Sequence, residues 1–446
     1  MQYLAPFLVL VFAGCQTPQP YQPAALPTAD SAIATALAAR PEPGTGELSL
    51  NAAAALLATH NSELATLRAE FATLARVAEF ANPLPNPSLE AGGSFGTKLE
   101  DDRRPLGPHF GLVFALPMGP RLARGDDLDA AKAAAADLEI RARHRELYLE
   151  LRAAYAEIAL ARRRMAEQAA VAAMAAESAE LAQKLTEIGS ATRLDVGLME
   201  LDFEEQRLAF AHAESAVAEA EGALAKLLGV DYRILRGRPL QELKFAGEWP
   251  DIEALRKLLV AHHPDLARLR GDFAVADAHL RAELAEQIPD LEFGTEFEQD
   301  VGEEKQVLGL SVGVELPLFD RNAQGIAEAT GQRDAVRVRY EATLAAALAE
   351  LDSQRERFGM HSHTRSLLEK NLLPRAKSAL ADGERMLQAG VVNTQRLFEL
   401  RRRQRQLKLQ LVDAEIARIR ALLAIESSIG RPLFLLPDES LPKVNL

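Results

Sequence analysis

The chain has 446 residues, enough for two or three globular domains or one elongated repeat architecture. Its net charge of −13, with basic residues scattered among acidic ones, argues against a nucleic-acid footprint. A mean hydropathy of −0.09 with frequent charges excludes a polytopic helical membrane protein, and abundant alanine with only 5% aromatic residues suits long, closely packed helices.

The first element is a short apolar run, "MQYLAPFLVLVFAGC". It is too short to span a bilayer and reads as a signal segment over residues 1–14. Small residues before Cys15, the one cysteine, predict lipoprotein cleavage and lipidation at that residue, and Gln16 after it fits delivery to the outer membrane. Several acyl chains at about 0.8 kcal/mol per buried methylene would hold the protein at the bilayer. Residues 15–47 read as an extended linker, with four prolines by residue 27.

Helical periodicity begins near Ser49, runs to about Phe80 and stops at "NPLPNP". Between Asp126 and Ile188 there is neither glycine nor proline. Such a helix is roughly 95 Å long at 1.5 Å per residue, which fits a coiled coil or a tube wall rather than a globule. Val391 to Ile429 is a second uninterrupted helical run.

Landmarks then recur. "ATHNSELATLRAEFA" at 58–72 returns as "VAHHPDLARLRGDFA" at 260–274, an offset of 202. Pro87 to Gly92 returns as Pro289 to Gly294, Leu116-Pro117 as Leu316-Pro317, and Gly189 as Gly390. The pattern predicts a tandem duplication, residues 48–229 and 251–429, joined by 230–250 and followed by 430–446. The two connecting stretches are expected to form a girdle around mid-tube.

Within each unit two stretches change period. Phe110, Leu112, Phe114 and Leu116 alternate with small residues, as do Leu308, Leu310, Val312, Val314 and Leu316. Leu291, Phe293 and Phe297 alternate with Glu292, Gly294, Glu296 and Glu298, and residues 88–97 do likewise. Period two means strands, so two β-hairpins are expected, about 87–117 and about 289–317. Each strand has about nine or ten residues, the length a tilted strand needs to cross an outer membrane, and one face is uniformly apolar. Four strands cannot close a barrel and an open edge in hydrocarbon is forbidden, so insertion demands several subunits.

No enzyme signature is present: no Walker A, no Gly-x-Ser-x-Gly, no His-Glu-x-x-His. The paired histidines, His262 with His263 and His361 with His363, read as solvated helix residues without a third ligand. No cofactor and no metal site are expected. At the helix tips Gly189 and Gly390 read as left-handed stops, with Thr192 and Asn393 as caps of the next helices. Thr192 with Asp195 is a variant capping box.

In the order and spacing of "YQPAALP", "LPNPSLEAGG", "ALPMGPRLARG", "AHHPDL", "VELPLFDRNAQG", "NLLPRA", "GSATRLDV" and "GVVNTQRL", the chain resembles the TolC-like outer-membrane efflux channels over nearly its whole length. "LPNPSLE" and "PLFDRN" look most like the branch serving heavy-metal exporters of the resistance-nodulation-division type. The resemblance implies a mainly α fold with a small transmembrane β part. Each subunit of a homotrimer would give four strands to one 12-stranded barrel and long antiparallel helices to a periplasmic tube. It implies a passive exit duct, not an enzyme, bound to outer-membrane lipid, a periplasmic adaptor and an inner-membrane pump. Drug efflux, type I secretion and, in another class, a lipid-anchored coiled-coil tether are the alternatives. The tips, at about 189–195 and 390–396, would meet the adaptor through Gly189, Thr192, Arg193, Gly390, Asn393 and Thr394. In related channels acidic residues six and nine past the second tip glycine ring the closed aperture. Those positions hold Arg396 and Glu399 here, and Asp195 lies six past the first. The departure suggests that Asp195, Arg396 and Glu399 form salt bridges between neighbouring helix pairs that latch a closed state.

Overall fold

A computed structural model describes residue 28 and residues 46–95, 106–242, 249–299 and 306–434. The expected signal segment, Cys15 and nearly all of the linker lie outside the described residues, as do residues 96–105, 243–248, 300–305 and 435–446.

Two short helices open the fold, α1 (Leu50–His60) and α2 (Ser62–Ala78). Strands β1 (Ser88–Phe95) and β2 (Leu106–Pro117) follow, then α3 (Arg121–Glu187) and α4 (Arg193–Leu228). The second half has the same order: α5 (Ile252–His262), α6 (Pro264–Ala285), β3 (Asp290–Gln299), β4 (Gln306–Val314), α7 (Ala323–Leu367), α8 (Leu373–Gln388) and α9 (Thr394–Ile429). Helix α3, at 67 residues, is about 100 Å long. It starts before the expected Asp126. Gly125, which suggests a boundary in the sequence, lies inside the helix, and a Cβ there would stand 2.6 Å from the Asn82 side-chain amide nitrogen.

The single helical run expected from Ser49 to Phe80 is broken. Asn61 adopts extended backbone, accepts from the Leu64 N–H at 3.0 Å, and donates its own amide to the Leu227 carbonyl at 2.9 Å. A polar residue that caps the next helix offsets the lost helical bond. In the second half His263 makes the same break, with Pro264 pre-setting the first turn of α6. Arg68 braces the first break by donating to the Ala58 carbonyl at 2.8 Å, and Arg270 braces the second through the Val260 carbonyl. The duplicated leucines are core: Leu57, Leu64, Leu259 and Leu266 are fully buried.

Helices α4 and α9 both have 36 residues and both end in a left-handed glycine, Gly229 and Gly430. A Cβ on Gly229 would lie 2.4 Å from the His60 carbonyl oxygen, and one on Gly430 would lie 2.3 Å from that of His262. Each long helix therefore stops against the break in its half's short helix pair, where only glycine fits.

The halves differ in length between strand and tip. Leu116 and Leu316 are 200 apart, whereas Gly189 and Gly390 are 201 apart, so the second half has one more residue between strand and tip. Residues Leu368–Leu372 form a π turn between α7 and α8, and Pro374 follows. A π turn absorbs a single extra residue, and it loosens the ladder where proline supplies no N–H.

Among the described residues four cores hold the helices together, and two of them join the short helices to the long ones. One packs α1 and Leu64 against Leu147, Leu151, Tyr155, Ile158, Leu224 and Leu228. The other packs Leu255, Leu259 and Leu266 against Leu351, Ile425 and Ile429, with Trp249 stacked on Phe358 at 4.4 Å. Between the halves, fully buried Arg152 pairs with Glu426 at 3.2 Å and donates to the Phe434 carbonyl, while Glu426 accepts the Leu433 N–H. Leu48 pairs with Leu240 in an isolated parallel bridge. The Phe434 and Leu433 contacts tie part of the C-terminal stretch to the long helices, and the Leu48–Leu240 bridge ties part of the other stretch to the start of α1.

Candidate functional site: helix tips and a two-faced sheet

At the first tip α3 unwinds through Gly189 at φ 73, and the Ser190 N–H returns to the Leu185 carbonyl at 2.8 Å. Thr192 caps α4. Its hydroxyl accepts from the Asp195 N–H at 3.2 Å, while Asp195 Oδ2 accepts the Thr192 N–H at 2.8 Å and its hydroxyl at 2.7 Å. The capping box is complete although aspartate stands where glutamate or glutamine is usual. These bonds, the backbone one foremost, hold the Asp195 carboxyl below the usual aspartate range. Arg193 stands exposed and lines a shallow cleft of about 320 Å³ with Gln183, Thr186, Glu187 and Val196.

At the second tip Gly390 takes φ 71 and Asn393 caps α9 by accepting from the Arg396 N–H at 3.1 Å. The tips are joined within one chain: Thr394, buried, donates to the Ser190 carbonyl at 3.3 Å, and Gln395 Nε2 donates to Asp195 Oδ1 at 3.1 Å. The structure thus brings Asp195 to Gln395 rather than to Arg396. Arg396 pairs with Glu399 at 2.9 Å on its own helix, and both are exposed. Ile188, Leu194 and Val391 are also largely exposed, giving the tip region apolar surface.

Further along the helices a buried ion pair links the halves. Arg405 of α9 pairs with Asp202 of α4 and donates to the Ser178 hydroxyl of α3 at 3.4 Å, while Arg402 Nε lies 3.9 Å from Asp202 Oδ1. Burial pulls the Arg405 guanidinium below its usual range against the pull of Asp202, and the charges of Arg402 and Arg401 add to the lowering. Neither Gln395 nor this pair stands out in the sequence, because their partners are about two hundred residues away. A readable signal does exist: Asp195 and Asp202 are seven apart, which puts both acids on one face of α4.

At the other end of the long helices, the strands form one antiparallel sheet in the order β1-β2-β3-β4, with β2 paired to β3 across the two halves. Register sorts the faces. Phe114 pairs with Phe293, Phe110 with Phe297, Phe293 with Val312 and Phe297 with Leu308, giving one apolar face. That face is open: Leu308, Leu310 and Val312 are 74%, 82% and 68% exposed. The opposite face carries Glu90, Glu292, Glu296, Glu298 and His109. One row across it reads Glu90, Gly111, Glu296, Gly309. No two glutamates stand directly opposite each other, which avoids like-charge contacts and leaves each carboxylate room for water. His109 Nδ1 lies 2.9 Å from Glu296 Oε1.

Among the described residues no helix is long and apolar enough to cross a membrane, and no group of three or more His, Cys, Asp or Glu could hold a metal ion. His262 and His263 are half-buried at the joint between α5 and α6, not solvated along a helix. Burial lowers both imidazoles below their usual range.

Residues 255–431 match the family described as outer membrane efflux protein. No curated protein sequence matches the chain. Solved structures do. The outer-membrane channel OprN aligns with a TM-score of 0.69 at 18% identity, over 94% of this chain and 98% of that one. The outer membrane protein VceC from Vibrio cholerae gives 0.70 at 16% identity, over 86% and 96%. CusC, whose structures address folding and transmembrane channel formation, gives 0.66 at 18% identity, over 94% and 100%. The chain therefore has the fold of the outer-membrane channels, and residues 255–431 carry similarity to the outer membrane efflux protein family.

Proposed function

We propose that the chain is one subunit of a trimeric outer-membrane channel, a passive exit duct from periplasm to exterior. The observation that carries this reading is the four-stranded sheet. Its apolar face is open, its other face is lined with carboxylates, and β1 and β4 each have one neighbour among the described residues. Hydrocarbon does not tolerate an unpaired strand edge, so the sheet needs further copies, and three copies give 12 strands in one barrel. Water fills the carboxylate side and lipid covers the other. The helices extend the duct into the periplasm, where the tips meet a periplasmic adaptor and an inner-membrane pump. Residues Gly189, Thr192, Arg193, Gly390, Asn393 and Thr394 form that contact surface, helped by the exposed Ile188, Leu194 and Val391. Cys15 carries the acyl anchor.

Heavy-metal cations are the proposed cargo, supported by the resemblance of "LPNPSLE" and "PLFDRN" to metal exporters; drug efflux is the competing cargo, since cargo is chosen upstream by the pump. Asp195, Arg396 and Glu399 latch the closed tip through salt bridges between neighbouring helix pairs. The full chain, purified in detergent, should run as a trimer and give discrete conductance steps in planar bilayers. A monomer that leaves bilayers silent overturns the reading. Asp195→Ala or Arg396→Ala should raise closed-state conductance; no change in either removes the latch.

A further inference from the structure

Near the tips the long helices stand in a row with two open edges. α4 packs on α3, α3 on α9, and α9 on α8, so α4 and α8 are the ends of that row. Each end carries a stripe that no described residue covers. On α4 it is Leu194, Leu198, Leu201, Glu205 and Leu208, all exposed. On the π turn and α8 it is Leu372, Arg375, Ala379, Asp382 and Met386, which share one helical face, with Leu372 and Met386 exposed.

Helices running in opposite directions mesh where their spacings match with one of them read backwards. From Leu194 the stripe on α4 advances by 4, 3, 4 and 3 residues, and from Met386 the other stripe retreats by the same steps. Setting Leu194 on Met386 therefore sets Leu201 on Ala379, Glu205 on Arg375 and Leu208 on Leu372. Leu198 comes beside Asp382, which is already paired with Arg385 of its own helix. Glu205 and Arg375 are exposed and have no ion-pair partner among the described residues. The tips give the height independently. Thr394 and Gln395 hold the two tips of one chain level, and copies related by an axis along the tube share that level. α4 leaves its tip at Arg193 and α8 reaches its tip at Gln388. At equal rise per residue Leu208 is then level with Leu373, next to the Leu372 that the spacing selects.

We propose that the leucine stripe of α4 docks antiparallel on α8 of a second copy, with Leu201 on Ala379 and Glu205 on Arg375, and so seals the wall between subunits. The proposal rests on the trimer proposed above, which by itself does not say which helix faces meet or in what register. The chain's own α8 is out of reach, because α3 and α9 lie between. A second copy is the occupant because its α8 matches the stripe in spacing, height and charge at once. Leu194 closes the seam at the rim of the adaptor surface.

The test uses the full chain in phosphatidylethanolamine–phosphatidylglycerol vesicles. Leu201→Cys combined with Ala379→Cys, oxidised with copper phenanthroline, should give covalent trimer on denaturing gels, since each disulfide links one copy to the next. Leu201→Cys with Ala381→Cys is the control. Ala381 is exposed at nearly the same height but turned about 200° around α8. It should give about tenfold less product, because a disulfide needs its two backbones close and facing. The parent, with Cys15 as its one cysteine, is the blank. Glu205→Arg and Arg375→Glu, made singly, bring like charges together and should each lower the oligomer roughly threefold, whereas the two together should restore it. If the parent is an oligomer but the test pair links no better than the control, or the double charge reversal brings no recovery, the seam is wrong and the trimer stands. A disulfide formed inside one chain overturns the seam as well. A monomeric parent removes the trimer, and the seam with it.

Discussion

At the scale of single residues, four of the five described glycines with left-handed backbone separate two costs. Gly189 and Gly390 turn the tips in open space, whereas Gly229 and Gly430 press on the carbonyls of His60 and His262. Alanine at any of the four carries the left-handed penalty of roughly 1–2 kcal/mol. At Gly229 or Gly430 it must also push the helix break away. Thermal unfolding in detergent should therefore show a clearly larger drop for Gly229→Ala and Gly430→Ala than for Gly189→Ala and Gly390→Ala. Equal drops would mean that the caps do not rest on the breaks. Near the same joints, burial holds the His144, His262 and His263 imidazoles below the ordinary 6.5; arginine charges add to the effect at His144 and His262, while Asp265 and Glu146 oppose it at His263. The unfolded chain takes up protons near 6.5 while the folded chain waits for lower pH. Stability is thus full above that value and is lost as pH falls through the depressed folded values. Urea midpoints should fall between pH 7.5 and 5.5, and His144→Gln should flatten the dependence.

At the scale of elements, legibility follows locality. The long helices are readable because glycine and proline are missing from α3 between Asp126 and Glu187, and the strands because their faces alternate with period two. The break at Asn61 is hidden, since an asparagine within a helical run reads as one more polar position until its amide is seen bonded to Leu227. The bonds from Gln395 to Asp195 and from Arg405 to Asp202 are hidden for another reason: folding alone brings the two halves together. The π turn lies between these extremes. Its extra residue is visible as an offset changing from 200 to 201, but only the structure places it at Leu368–Leu372. Removing one residue from a straight helix turns everything beyond it by about 100°. Removing Lys370 together with Pro374→Ala should instead turn the bulge into ordinary helix and leave the second tip facing Asp195. Circular-dichroism melting should then be near wild type, whereas deletion of the exposed Ala349 in α7 should abolish the cooperative transition. Equal damage from both would show that the turn absorbs nothing.

At the scale of the whole molecule, one question governs the rest: which side of the sheet is wet. Adjacent residues of β4 answer it with the least disturbance, because Leu310 and Ser311 are both exposed, both near the middle of the strand, and on opposite faces. Leu310 lies in the row shared with Thr295 and Leu112, and Ser311 in the row shared with Gly294 and Val113. If the sheet is the wall of a barrel, lysine at Leu310 meets hydrocarbon and costs about 2–4 kcal/mol at the bilayer midplane. Lysine at Ser311 meets water beside glutamates and should insert as well as the parent. For a sheet wetted on both sides, the two substitutions should be equivalent, each within about 0.5 kcal/mol of neutral. Assembly in vesicles, read as heat-modifiable oligomer bands, separates the cases: Leu310→Lys should lose most of its oligomer while Ser311→Lys keeps it. Ser311→Lys should also shift ion selectivity toward anions, since a cation then projects among the lumen carboxylates. A Leu310→Lys protein that assembles normally would show that no lipid lies against this face, and the trimeric barrel would fall with it.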